Sequence, residues 1–258
     1  MEIAEHIDAL RRQGDLLADA AERAGLDAPV PPCPSWQVKD VLRHTGYIHR
    51  WAARHINECP GTVLDGPEEA DILRGGAADP DLLAWFRAGH AALVETLTTA
   101  DPGLVCATLM DAPSSLAFWA RRQAHETAIH RADAESASGV RPGYEPDFAA
   151  DGIDELIMGF GQRRKYRPSA DHDGSILVRT TDTGHAWHVG AEDGRLQARR
   201  DSGGSDSASQ TACTVTGPAS SVYLFLWNRS DAAQAGVTID GDPAFLGLWQ
   251  SSVRIRWG

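Results

Sequence analysis

One segment of the chain concentrates side chains that could bind a metal ion. Residues 119–133, WARRQAHETAIHRAD, contain no Gly or Pro and are rich in helix-forming residues, so a helix is predicted. Several of its members recur at spacings of three and four, which places them on one helix face. We expect that face to point inward because it carries a Trp, and we expect Arg121, Arg131 and Glu135 to lie on the opposite side. The residues on the inward face are Trp119, Gln123, Glu126, His130 and Asp133.

Glu126 and His130 stand one helical turn apart and could bind a single divalent ion. Buried charges must be paired or bound to a metal, because burying an uncompensated charge is costly. The same spacing also suits an ordinary surface ion pair, so this pair by itself leaves both interpretations open.

His44, in a second segment, favours the metal interpretation. Ser35 follows Pro34 and is predicted to cap a helix that reaches about residue 57. His44 lies on the apolar stripe of that helix, so we expect it to point into a core. Two His and one carboxylate, with a fourth position open, are typical of a catalytic rather than a structural zinc site. The other members of the stripe are Val41, Ile48, Trp51 and Ala52.

Both segments carry a family resemblance. DVLRHTGYIHRW (residues 40–51) and WARRQAHETAIHRAD (residues 119–133) resemble the mycothiol-dependent maleylpyruvate isomerase family, within the DinB-like metal-binding helix bundles. The family's ligands are a His on the second helix and a Glu and a His on the fourth, which fall on His44, Glu126 and His130. TTDTGHAWHV (residues 180–189), residues 214–229 and residues 237–249 resemble the family's C-terminal domain, so the resemblance covers nearly the whole chain.

The resemblance implies a metal-dependent enzyme that uses a thiol cofactor. The divalent ion would be zinc, given two imidazoles and one carboxylate, and mycothiol would occupy the open position. A metal ion stabilises the thiolate, which is the reactive nucleophile. Its addition to an electrophilic carbon gives cis–trans isomerisation if the adduct collapses after bond rotation, and S-transfer if the adduct persists. The sequence leaves these two outcomes open.

Arg229 is the catalytic candidate outside the metal site. It ends the helix predicted at residues 219–228, where a cation complements the helix dipole. The resemblance implies that an Arg here approaches the active site and captures a substrate carboxylate, for which Arg is suited. The spacing in Leu226-Trp-Asn-Arg229 is shorter than the family's usual pattern.

Two alternative functions stay open. A metal-activated water would make the protein a hydrolase, and a vestigial bundle site would leave a non-catalytic protein that binds a small molecule. His125 and Glu126 begin an HExxxH pattern rather than the HExxH of metalloproteases, so that class is excluded. We expect His125 at the bundle surface or behind a ligand, and Asp133 either orienting a ligand ring or pairing with an Arg.

Composition limits the partners. The net charge of -12 argues against binding to nucleic acid and to anionic membranes. The amphipathic N-terminus lacks a secretory signal, and no run approaches the roughly 18 apolar residues of a membrane span, so a cytoplasmic location is predicted. The expected partners are a small-molecule substrate and a thiol, and the oligomeric state stays open. Arg-rich, Lys-poor usage suggests a GC-rich genome, in keeping with an actinobacterial source. The four cysteines lack CxxC spacing and predict free thiols.

The elements around these residues predict two domains. Residues 1–140 form a DinB-like four-helix bundle, and residues 147–258 form a small α+β domain, with the boundary near Val140–Pro146. The four helices are expected at residues 1–25, 35–57, 81–99 and 114–138, with a long loop at 59–81. In the second domain, helices are expected at residues 148–160, 219–228 and 243–250, and strands at 175–181, 186–189, 195–199, 212–216 and 237–240.

Overall fold

The computed structural model describes residues 1–63, 81–162, 174–192, 195–201 and 211–252. The chain divides into two compact units, Met1–Pro142 and Gly143–Gly258. The first unit is helical and the second combines a sheet with helices, as the predicted fold class requires. The domain bounds 1–140 and 147–258 stay a prediction. No helix among the described residues is long and apolar enough to cross a membrane.

Among its described residues the first unit contains four long helices, and they correspond to the four predicted from periodicity. Asp81 and Ser114 cap the third and fourth helices, because their side chains accept hydrogen bonds from backbone N–H groups in the first turn. Most of the predicted long loop, residues 64–80, lies outside the described residues. The helices are α1 (Ile3–Ala24), α2 (Val38–Glu58), α3 (Leu82–Thr99) and α4 (Ser115–Ser136).

The predicted cap of α2 is wrong. Gln37, not Ser35, precedes the first helical residue, and Gln37 and Asp40 bond each other's backbone N–H in a capping box. Ser35 stands in a turn in which Trp36 N–H donates to the Cys33 carbonyl at 2.8 Å. The backbone at Gln37 is still extended, so the helix begins two residues later than a cap at Ser35 would place it.

The core of the first unit lies between α4 and the helices around it. α4 packs against α1 and α2, while α3 packs against α1 and α2. Leu10, Leu17, Phe86 and Leu93 are fully buried there. Each buried side chain of this size contributes about 1.5–3 kcal/mol by leaving water.

The expectation that α4 has a solvated face is wrong for two of its three residues. Every residue from 122 to 135 is buried, including Arg131 and Glu135, while Arg121 is half-buried. Arg131 donates to Glu135 Oε1 and to Gln13 Oε1 of α1, both at 3.0 Å. The charged side chains are therefore buried with partners, which offsets part of the cost of their burial.

The second unit is built around a five-stranded mixed sheet with strand order β3-β2-β1-β4-β5. The β1–β4 pair is parallel and the other three pairs are antiparallel. All five strands fall where they were predicted. They are β1 (Ser175–Thr180), β2 (Ala186–Glu192), β3 (Arg195–Arg200), β4 (Cys213–Gly217) and β5 (Thr238–Gly241).

Helices complete this unit. The first of them, α5, spans Pro146–Asp154, and residues Glu155–Phe160 continue it as a π-helical turn. Asp154 ties α5 to the sheet, because it accepts hydrogen bonds from Trp187 of β2 at 3.0 Å and from both ends of the Arg200 guanidinium of β3 at 2.6 and 2.7 Å. The helices are α5 (Pro146–Asp154), α6 (Ala219–Leu226), α7 (Ala232–Ala235) and α8 (Ala244–Ser252).

Candidate metal centre

The three predicted ligands converge. His44 of α2 meets Glu126 and His130 of α4, and one ligand atom from each lies within 4.8 Å of the other two. Glu126 Oε1 is 3.2 Å from His44 Nε2 and 3.1 Å from His130 Nε2. Two segments 82 residues apart in sequence therefore aim two imidazole nitrogens at one carboxylate oxygen.

The three side chains differ in exposure. Glu126 and His130 are 3% and 2% exposed, whereas the His44 side chain is 13% exposed. His44 is therefore the most exposed of the three candidate ligands. The donor set of two imidazole nitrogens and one carboxylate oxygen is one that zinc accepts.

Asp133 lies behind His130. Its Oδ2 is 2.9 Å from His130 Nδ1, so both nitrogens of this ring face carboxylate oxygens. Burial alone would lower the pKa of His130, but the hydrogen bonds to Asp133 and Glu126 and their negative charges raise it to about 9. Of the two roles expected for Asp133, orienting the ring of His130 is the one that this contact supports.

The pKa values of the other two candidate ligands, His44 and Glu126, are both lowered. Burial lowers the pKa of His44, and its hydrogen bond with Glu126 opposes this only in part. Burial alone would raise the pKa of Glu126, but hydrogen bonds with His130 and His44 and the positive charges of His130 and Arg122 hold it well below its usual value. At neutral pH the protein's own groups therefore comprise a carboxylate, a neutral His44 and a protonated His130.

Arg122 belongs to the centre but was not predicted. Its guanidinium donates to Glu126 Oε2 at 3.1 Å, and both side chains are 3% exposed. The only sequence signal is its position four residues before Glu126, and on most helices such a pair is solvated. Only the burial of α4 on all sides makes this pair significant.

Trp36 was also missed. Its indole stacks on the His130 ring with centroids 5.9 Å apart and lies 5.3 Å from the His44 ring. The turn before α2 holds it, since Val30 N–H donates to the Trp36 carbonyl at 3.0 Å. An aromatic wall beside two ligand rings restricts both their orientation and the access of water.

His125 was expected either at the bundle surface or behind a ligand. It is fully buried, so the surface position is wrong, and its ring meets the ring of His6 of α1 edge-on with centroids 6.1 Å apart. It is not one of the three residues that converge around Glu126 Oε1.

Arg229 lies in the second unit, just beyond α6. The helix ends at Leu226, two residues earlier than predicted, and Asn228 follows in the left-handed region with φ of 58°. The Arg229 guanidinium donates to the Trp227 carbonyl at 2.8 Å, which agrees with its role at a helix C-terminus. Its catalytic role stays a prediction.

Comparison with known proteins gives a family and a fold. The profile of the mycothiol maleylpyruvate isomerase N-terminal domain matches residues 7–135, and the profile of the MDMPI C-terminal domain matches residues 147–247. The crystal structure of the mycothiol-dependent maleylpyruvate isomerase aligns with a TM-score of 0.60, and that of a His-to-Ala mutant with 0.63. Each is 12% identical and covers 93% of both chains, which confirms the fold class. No curated protein matches the chain.

Proposed function

The chain belongs to the mycothiol maleylpyruvate isomerase family, a family of enzymes, and on that premise we propose that it is a metal-dependent enzyme that activates a low-molecular-weight thiol. The observation that carries the proposal is the convergence of His44, Glu126 and His130, with ligand atoms within 4.8 Å of one another. Two imidazole nitrogens and one carboxylate oxygen gathered in this way are a donor set for a divalent cation. A cytoplasmic location is part of the same proposal.

His44, Glu126 and His130 would hold the divalent ion, zinc by the chemistry of the donor set. Such an ion would stabilise the thiolate form of mycothiol. Addition of that thiolate to an electrophilic carbon gives isomerisation if the adduct collapses and S-transfer if the adduct persists. Asp133 keeps the second proton of His130 on Nδ1 and so leaves Nε2 as the ligand atom. Trp36 shields the two imidazoles from bulk water, which strengthens electrostatic interactions inside the centre.

Arg229 is proposed to bind a carboxylate of the substrate. The support is the family resemblance and the chemistry of a guanidinium, which pairs with a carboxylate through two hydrogen bonds. If this role holds, Arg229→Lys should raise KM for a carboxylate substrate with the bound metal unchanged. An unchanged KM would assign Arg229 to the end of α6 alone.

The first substrate to test is maleylpyruvate with mycothiol, as named for the matching structures. Metal content and isomerisation should be measured on the purified protein and on His130→Ala. His90→Gln is a matched control, because His90 is another buried His in the bundle and bonds the Arg11 carbonyl rather than the centre. We expect His130→Ala to lose both metal and activity, and His90→Gln to keep both. Full activity in metal-free His130→Ala would overturn the proposal.

The same assay separates the alternatives. A hydrolase that activates water would turn over its substrate without any thiol. A non-catalytic binding protein would keep its ligand affinity in His44→Ala. Accumulation of a stable thioether in place of the trans isomer would assign the chain to S-transfer.

A further inference from the structure

The ion pair between Arg122 and Glu126 lies in the interior of the bundle, with both side chains 3% exposed. A buried ion pair recovers its desolvation cost only in part, and apolar side chains of similar volume are often at least as stabilising. Packing alone therefore does not favour a guanidinium over an apolar side chain at this position. At the candidate metal centre its partner is Glu126 Oε2, at 3.1 Å.

The two oxygens of Glu126 have different surroundings. Oε1 faces His44 Nε2 and His130 Nε2 at 3.2 and 3.1 Å, whereas Oε2 bonds Arg122. A carboxylate can bind a metal ion through one oxygen or through both. A charge-assisted hydrogen bond to Oε2 competes with its use as a second ligand atom.

We propose that Arg122 is a positioning residue that makes Glu126 a one-oxygen ligand. The inference rests on the proposed metal centre. One oxygen and two imidazoles occupy three positions of a four-coordinate ion, so the fourth stays open for the thiol. With both oxygens bound, the protein would fill all four positions, and the thiol would have to force a fifth.

Arg122 also sets the charge of the centre. Its positive charge offsets the negative charge of Glu126, so less of the cation's charge is neutralised by the protein. A more positive centre favours a bound thiolate over a thiol. Loss of the guanidinium should therefore change the coordination number and raise the pKa of the bound thiol together.

Loading the whole protein with cobalt(II) allows both the coordination number and the pKa of the bound thiol to be measured. Four-coordinate Co²⁺ absorbs visible light more strongly than five-coordinate Co²⁺, and coordination geometry is diagnostic of the ligand set. Arg122→Met keeps an unbranched apolar stem without the charge, and Arg122→Lys keeps the charge. We expect the visible bands to weaken about twofold or more in Arg122→Met and to stay near wild type in Arg122→Lys.

Titration with mycothiol gives the second readout, through the pH midpoint of the sulfur-to-cobalt absorption. That midpoint should rise by about one pH unit in Arg122→Met and return in Arg122→Lys, a pattern that a general loss of stability would not produce. An Arg122→Met protein with the visible intensity and the pH midpoint of the wild type would overturn the inference. Loss of Co²⁺ binding by a folded Arg122→Met would also overturn it, because the inference requires Glu126 to remain a ligand without Arg122.

Arg122→Leu, which also removes both the charge and the hydrogen-bond donor, carries the same expectation and decides the matter if Arg122→Met does not fold. Failure of the wild-type protein to bind Co²⁺ would be a different result. It would remove the metal centre itself, and with it the proposed function on which the inference rests.

Discussion

Metal binding at this centre should release close to one proton at pH 7. His130 directs Nδ1 at Asp133 and Nε2 at Glu126, at 2.9 and 3.1 Å, and these two carboxylates raise the pKa of the ring to about 9, so the form with both nitrogens protonated is favoured at pH 7. A metal ion requires the Nε2 lone pair, and its binding therefore expels that proton. The number of protons released is a direct measure of this arrangement.

The magnitude follows from the two imidazoles. Because the pKa of His130 is raised to about 9, roughly 99% of the ring is protonated at pH 7 and about 10% at pH 10. The pKa of His44 is lowered by burial, so His44 is neutral at pH 7 and changes only which nitrogen carries its proton. The pKa of Glu126 is far below neutrality, so its carboxylate has no proton to release. The expected release is about one proton at pH 7, falling toward zero above pH 9.

The number of protons released can be measured by calorimetric titration of the metal-free protein with Zn²⁺ in buffers of different ionisation enthalpy. It is the slope of the observed binding enthalpy against the ionisation enthalpy of the buffer. In Asp133→Asn the pKa of His130 should fall, so the slope at pH 7 should drop and the affinity should weaken about 10–100-fold. His90→Gln should keep the wild-type slope. Tight binding by the wild-type protein with a slope near zero, or near two, at pH 7 would refute the assigned protonation states.

Three further predictions concern stability. Leu17→Ala, at a fully buried site, should cost about 2–5 kcal/mol in urea unfolding, and a loss near zero would contradict the assigned core. Burial and the neighbouring His90 hold the pKa of His49 well below 6.5 in the folded protein. The contribution of the neutral His49 to the free energy of unfolding is therefore complete above pH 6.5 and is lost as pH falls toward the folded-state pKa. The free energy of unfolding should therefore fall between pH 7 and 5, and less steeply in His49→Gln; parallel profiles would count against this assignment. Gly241→Ala should destabilise the second unit by about 1–3 kcal/mol, because φ is 93° and a Cβ would collide with the Ala212 carbonyl. Gly247→Ala, where an added Cβ meets no atom within 4 Å, is the control and should leave the melting temperature unchanged. Equal effects of the two substitutions in thermal unfolding would contradict the collision.

The sequence alone was sufficient for most of the local structure. A period of 3.6 places Glu126 and His130 one turn apart on the same face whatever packs against it. The apolar stripe of α2 likewise carries His44 inward, and short strand-like runs separated by Gly and Asp turns mark the strands of the second unit. These features depend on backbone geometry and on residues close in sequence, so they can be derived without tertiary contacts.

The cap of α2 shows where local signals failed. Pro34-Ser35 has the composition of a helix start, but Ser35 stands in a turn and Gln37 is still extended, because Pro29 and Gln37 form an isolated β-bridge and Val30 bonds Trp36. The same bridge places Trp36 against the ligand rings. A pairing between residues eight apart across several prolines has no helical or strand periodicity from which it could be derived.

Tertiary structure alone decided how α4 is used. Periodicity states which side chains share a face, but not how many faces meet neighbours. α4 is enclosed on all sides, so Arg131 and Glu135 are buried with Gln13 of α1, and Arg122 reaches Glu126 in the interior. The sequence determined the three candidate ligands, because ligand type and spacing are properties of the chain. The packing of α2 against α4 decided that Oε1 of Glu126 faces His44, because that contact joins residues distant in sequence.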